Sequence, residues 1–155
     1  MKINFIQTGG TIDKDYIAGA NNHGYNFVID KPASEMILKK IKPNFDYSVE
    51  SISKKDSLDL TNEDRNKILL FCRKSLAKKI IITHGTDTIL QTAEKLSVIA
   101  DKTIVLTGAM RPASCNDSDA AFNIGVAVGG IQNLKYGIYI AMRGIIYSWQ
   151  DYRNN

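Results

Sequence analysis

Five short apolar runs, at 2–7, 46–52, 78–83, 103–107 and 136–142, alternate with helical patterns near 32–41, 62–75, 88–100 and 118–132. This alternation leaves few choices, because a strand buried on both faces needs a covering helix before the next parallel strand can form. The order predicts an α/β fold, a three-layer, flavodoxin-like arrangement with a mostly parallel sheet and helices on both faces. A chain of 155 residues buries enough surface for an ordinary core, so 1–155 reads as a single domain.

No apolar run approaches the roughly 20 residues that span a bilayer, which speaks against a membrane protein. Met1-Lys2-Ile3-Asn4-Phe5 enters the first strand pattern without a signal-peptide core, and the expected location is cytoplasmic. The net charge of +4 is spread over small groups such as Lys39-Lys40, Lys54-Lys55 and Lys78-Lys79. These lack interleaved aromatics, so no nucleic-acid partner is expected. Cys72 and Cys115 have neither metal-ligand spacing nor a disulfide framework, and both read as free thiols.

Thr61 and Asp64 form a capping-box pattern at the start of the second helix, whose buried face reads as Ile68, Leu69, Cys72 and Leu76. The third helix reads as burying Ile89, Leu90, Ala93, Leu96 and Ala100, and Asp117, Ser118 and Asp119 read as caps for the fourth. Residues 12–29 turn polar and glycine-bearing, as expected of a loop or hairpin beside Thr11. The final segment, Asp151 to Asn155, reads as a frayed tail.

Two motifs carry chemistry. Thr8-Gly9-Gly10-Thr11 follows the first strand and His84-Gly85-Thr86-Asp87-Thr88 follows the third. In an open α/β sheet both would deliver hydroxyls to the carboxyl edge, where ligands bind. Gly9 and Gly10 permit a turn with positive φ that presents Thr11, whose stiff χ1 suits a nucleophile. The helix start at Thr86-Asp87-Thr88 favours a carboxylate or a developing oxyanion, and Asp87 suits a substrate ammonium. Ser57, after the second strand, has a hydroxyl that suits a substrate carboxylate. Threonine and aspartate are also favoured helix caps, so either motif alone reads first as structure, and His84 reads as a structural hydrogen-bonding residue. No GxGxxG or GxxxxGK pattern supports a nucleotide site.

Taken together, Thr8–Ile12, His84–Thr88 and Leu106-Thr107-Gly108-Ala109-Met110-Arg111-Pro112, followed by Asp119, Phe122 and Asn123, resemble the bacterial-type L-asparaginase family. The resemblance covers the family's larger N-terminal domain only, and the expectation is a chain without the smaller C-terminal domain. It implies hydrolysis of the side-chain amide of L-asparagine, or a similar small amide, to the acid and ammonia. Thr11 would be the nucleophile and Thr86 with Asp87 the second threonine and aspartate. Ser57 would hold the substrate's α-carboxylate, with Gly10, Asp56 and Asp87 completing the substrate set. The tyrosine that hydrogen-bonds the nucleophile falls on Tyr16 or Tyr25. The resemblance also implies a homodimer or higher homo-oligomer, and chemistry without metal or cofactor.

Two departures qualify that expectation. The family's lysine, which pairs with the second threonine, aligns near Asn154, with Arg153 beside it as a possible replacement. Asparagine supplies no basic amine and arginine stays protonated, which weakens proton transfer. Without the second domain the site would also be more open. The alternative is therefore a catalytically impaired homologue that binds a small amino acid as a sensor or partner module.

Overall fold

The computed structural model describes residues 1–16 and 27–153. Eight strands occur among them: β1 (Lys2–Gly9), β2 (Lys14–Tyr16), β3 (Phe27–Ile29), β4 (Asp46–Lys55), β5 (Lys79–Thr83), β6 (Thr103–Thr107), β7 (Gly137–Met142) and β8 (Ile145–Ser148). The α-helices are α1 (Ala33–Ile41), α2 (Asn62–Lys74), α3 (Ile89–Leu96), α4 (Ala120–Ile131) and the short α5 (Trp149–Tyr152). Six strands form one sheet in the order β4-β1-β5-β6-β7-β8; all neighbours are parallel except β8, which pairs antiparallel with β7. β2 and β3 pair antiparallel as a separate two-stranded sheet.

The central strands alternate cleanly between two cores. Ile6, Ile80, Ile82, Ile104, Leu106, Ile138 and Ile140 face α2 and α3, whereas Ile3, Phe5, Ile81, Val105 and Ala141 face α1 and α4. This period of two, with both faces buried, is why the strands read as continuous apolar runs. The sheet is therefore the middle layer of three, as the alternation predicts.

In sheet order, the parallel strands run second, first, third, fourth, fifth, so the connections diverge between β1 and β5. Three of the crossovers share one hand: β1 to β4 moves one way with α1 on one face, while β4 to β5 and β5 to β6 move the other way with α2 and α3 opposite. β6 to β7 continues in that second direction but carries α4 on the face of α1, so its hand is reversed. With the first three taking the right-handed sense that twisted strands favour, the last is the rare left-handed one.

Several local expectations change. The capping box at Thr61 forms, with Thr61 Oγ1 accepting from Asp64 N at 3.2 Å and the Asp64 carboxylate accepting from Thr61 N at 3.0 Å. Leu76, however, is 97% exposed, because α2 ends at Lys74 and Ser75 Oγ turns the chain by accepting from Ala77 N. Likewise α3 ends at Leu96; Ala100 is exposed, Leu90 only partly buried, and Ile99 fills the core instead. The tail is not frayed through Tyr152, since Ser148 caps α5 by accepting from Asp151 N. Asn154 and Asn155 lie outside the described residues.

Removing a buried branched side chain leaves a cavity, whereas trimming an exposed one does not. Ile68→Ala should cost about 2–5 kcal/mol in urea unfolding and Leu76→Ala less than about 0.5 kcal/mol. Comparable losses at the two positions would mean that α2 continues past Lys74.

Candidate active site

The connections of an open α/β sheet leave a crevice at the carboxyl ends of the strands where they diverge. Here that point lies between β1 and β5, and each of these strands is followed by one of the two threonine motifs. Gly10 has φ 83° and ψ −178°, a conformation essentially reserved for glycine. A Cβ built on it would overlap the N and Cα of Gly85, so the two backbones touch. Thr11 and Thr86 each follow one of these glycines, and the loops that carry them are therefore neighbours.

Two further contacts extend the crevice floor. A Cβ on Gly85 would collide with the Ser57 side chain, and one on Gly108 would collide with the His84 carbonyl and crowd the Thr86 methyl. Gly10 N also donates to Lys55 O at 3.0 Å, next to Asp56 and Ser57. Segments at the ends of β4, β1, β5 and β6 thus meet at glycines, whose bare backbone lets the neighbouring backbone and the Ser57 and Thr86 side chains come close.

Buried hydrogen bonds fix these loops. Thr8 Oγ1 donates to Thr83 O at 2.7 Å, and Thr83 Oγ1 donates to Asp13 Oδ2 at 3.0 Å. Asp13 Oδ1 accepts from Ala33 N at 2.7 Å, which caps α1 from a distance where Pro32 offers no side-chain cap. Burial pushes the Asp13 carboxyl up to about 6, against the hydrogen bonds that favour its charge. His84 is buried, with Nδ1 2.7 Å from Gly85 O and Nε2 2.8 Å from Thr92 Oγ1. That geometry assigns the proton to Nδ1, and burial lowers the ring's pKa to about 4. His84 is therefore a neutral structural residue, as read.

Arg65, buried on α2, donates to Leu60 O at 2.7 Å, Thr88 Oγ1 at 3.0 Å and Thr92 Oγ1 at 3.2 Å. Thr88 Oγ1 in turn donates to Ser57 O at 2.7 Å, tying the Ser57 turn to the Thr86 segment. The Ser57 side chain is fully buried, and its Oγ has no protein partner. Such an orphaned hydroxyl costs stability unless a ligand or water satisfies it. Asp56 pairs with Lys14 at 2.7 Å, which holds its carboxyl below the ordinary range.

Of the remaining candidates, Thr11 and Thr86 are half-buried and Asp87 is exposed. Tyr16 is also exposed, its ring tilted against Phe27 with centroids 4.1 Å apart. Tyr25 lies outside the described residues, as does Asn154, while Arg153 is exposed just after α5. Asp119 is not a side-chain cap of α4. Its carboxylate accepts from Met110 N and Arg111 N, and Ser118 Oγ takes the Ala120 N–H instead. The loop after β6 crosses the strand ends to β1, with Ala113 N donating to Ile12 O at 3.1 Å and Ser114 Oγ to Lys14 O at 3.2 Å. A cavity of about 420 Å³ opens beside Thr86; a larger one of about 730 Å³ lies at the opposite, amino end of the sheet, around Met1 and Leu76, away from both threonines.

The family model described as "Asparaginase, N-terminal" matches residues 2–153. The chain belongs to the asparaginase family. It is 31% identical to a glutaminase-asparaginase from Pseudomonas aeruginosa over 94% of this chain and 43% of that protein. Its fold matches the thermostable L-asparaginase from Thermococcus kodakarensis with a TM-score of 0.83 at 28% identity, covering 96% of this chain and 46% of the other. A probable cytoplasmic L-asparaginase from Campylobacter jejuni matches with a TM-score of 0.75 at 29% identity, covering 96% and 48%. The chain thus spans less than half the length of these relatives.

Asp13 and Arg65 were not singled out by sequence. Arg65 had a signal, since 65, 68, 69 and 72 share helical spacing and hence a buried face. Asp13 had none.

The two buried titratable groups of the site oppose each other. Asp13 has a folded pKa of about 6 above its unfolded 3.8, so stability falls as pH rises through that window. His84 has a folded pKa of about 4 below its unfolded 6.5, so stability rises with pH across nearly the same range. Asp13→Asn keeps an acceptor for Ala33 N and removes only the first slope. Its unfolding free energy should then climb by about 3 kcal/mol from pH 4 to 6.5, where the wild type stays nearly flat, as read by urea unfolding at intervals of pH. Parallel profiles for the two proteins would remove Asp13 as a titrating group.

Proposed function

We propose that the crevice is the active site of an amidohydrolase that cleaves the side-chain amide of L-asparagine, or a similar small amide, to the acid and ammonia. The observation that carries this reading is the contact of the Gly10 and Gly85 turns at the switch point, in a chain whose family match runs from residue 2 to 153. The names of its relatives, asparaginases and a glutaminase-asparaginase, support the same reading.

In this mechanism Thr11 Oγ1 attacks the amide carbonyl, and backbone N–H groups of the glycine turns other than that of Gly10, which Lys55 O engages, stabilise the developing oxyanion. The C–N bond breaks and ammonia leaves with the threonine proton. Water then cleaves the threonine ester, releasing the acid and restoring the hydroxyl. Thr86 acts as the second hydroxyl, Asp87 takes the substrate ammonium, and Ser57 Oγ, otherwise unpartnered, takes the α-carboxylate. Gly10 and Asp56 border the substrate, and Tyr16 or Tyr25 supports the nucleophile. The reading needs no metal or cofactor and places residues 1–155 in one cytoplasmic domain that works as a homodimer or larger homo-oligomer.

The alignment of the family lysine near Asn154, with Arg153 beside it, favours a second reading, an amino-acid binder with little turnover. General acid–base help of the missing kind is worth about 10²–10⁴-fold in rate.

Ammonia release from asparagine should fall at least about 10²-fold in Thr11→Ala and in Thr86→Ala, and Asn154→Lys should raise it by about tenfold or more. A wild type no faster than the two alanine variants, but giving binding heat with aspartate in calorimetry, establishes the binder instead.

A further inference from the structure

The cavity beside Thr86 continues along the sheet edge to the turn between β7 and β8. Its walls include Met110, Ile145, Tyr147 and Tyr152, with Arg143 as its charged residue and no aspartate or glutamate among the lining residues. Arg143 is exposed and forms no ion pair with any described residue. The cavity therefore combines apolar walls, an unneutralised cation and two phenols.

The placement of Arg143 is costly. Met142 pairs with Ile145 across a two-residue turn in which Arg143 has φ 51° and Gly144 φ 86°. Such turns favour asparagine or glycine at the first position, because in left-handed backbone a Cβ crowds the following carbonyl oxygen and only glycine, or a short polar side chain that bonds locally, adopts it readily. The turn is nevertheless held in place, with Arg143 N donating to Asn123 Oδ1 at 3.1 Å. A turn built for its backbone alone would carry asparagine there; an arginine points to a use for the guanidinium.

The order of strand ends gives the use a direction. Ser57 follows β4, Thr11 follows β1, Thr86 follows β5, and Arg143 follows β7, so Arg143 lies across the threonines from Ser57. With the acyl part of the substrate held at Ser57, the side beyond Thr86 receives the departing nitrogen. Ammonia needs about the space of one water, roughly 30 Å³, and leaves a cavity of about 420 Å³ nearly empty.

We propose that this cavity is a leaving-group subsite for an apolar amino acid joined through its nitrogen to the side-chain carboxyl of aspartate, with Arg143 binding its free carboxylate. The inference rests on the hydrolase reading for its direction. Thr11 Oγ1 forms the ester with the aspartyl side-chain carbonyl, the C–N bond breaks, and the amino acid departs carrying the threonine proton. Water then hydrolyses the ester to aspartate. Phosphate is the poorer fit, since its second charge would meet no second cation.

Calorimetry in a Thr11→Ala background, where no turnover intervenes, compares β-aspartyl-leucine with β-aspartyl-leucinamide, which lacks only the carboxylate. The acid should bind about ten- to a hundredfold more tightly, as expected for a charge-assisted pair, and Arg143→Gln should abolish that preference while leaving aspartate binding unchanged. Arg143→Gly should do the same while relaxing the turn, which guards against a folding defect. Equal binding of acid and amide, or a preference that survives both substitutions, overturns the subsite. Ammonia release from asparagine by the wild type is read separately. Release without any carboxylate preference overturns the subsite and keeps the hydrolase reading; the preference without release keeps Arg143 as a carboxylate-binding residue but overturns the hydrolase reading and, with it, the leaving-group role.

Discussion

The close approach of the Gly10 and Gly85 backbones is the constraint on which the site depends. Loops at the ends of adjacent parallel strands start about 4.8 Å apart, and a side chain between them would force them to part. Gly10 removes that side chain and accepts a conformation other residues avoid. Because Gly85 and Gly108 repeat the device against Ser57 and Thr86, the crevice floor is backbone, and hydroxyls are the groups that border it.

The reversed crossover completes the enclosure. A connection of ordinary hand would place α4 with α2 and α3, leaving the face of α1 half-covered. Instead the loop after β6 is sent across the strand ends to β1, where Ala113 and Ser114 fasten to the Thr11 segment. Asn123 then joins the two sides of the crossover, donating to Gly108 O and accepting from Arg143 N. One asparagine thus couples the loop beside Thr86 to the turn that carries Arg143, so the topology that is unfavourable in general gives this edge its second wall.

The sheet was legible because burial on both faces writes each central strand as an unbroken apolar run, and the glycine turns were legible because few other residues fit them. What periodicity could not show was where a pattern stops. Leu76 continues the spacing of α2 on paper, yet Ser75 bends the chain first. The hairpin of β7 and β8 was hidden for a related reason: Arg-Gly is a poor signature for a turn that usually reads Asn-Gly. In the site, Thr11, Thr86 and Ser57 could be found from their positions after strands. The pairing of Asp13 with Ala33 and Thr83 could not, since it joins segments 20 and 70 positions apart.

Burial decides what His84 can do, and Arg65 reinforces it. The guanidinium is buried without a carboxylate and satisfied by a carbonyl and two hydroxyls, so its charge stays largely uncompensated. That positive field adds to burial in disfavouring a second proton on His84, whose two nitrogens are already occupied by Gly85 O and Thr92 Oγ1. A ring with no free nitrogen cannot shuttle protons, even at the pH where an ordinary histidine would. Under the proposed mechanism, the acceptor for the Thr11 proton is therefore a group other than His84.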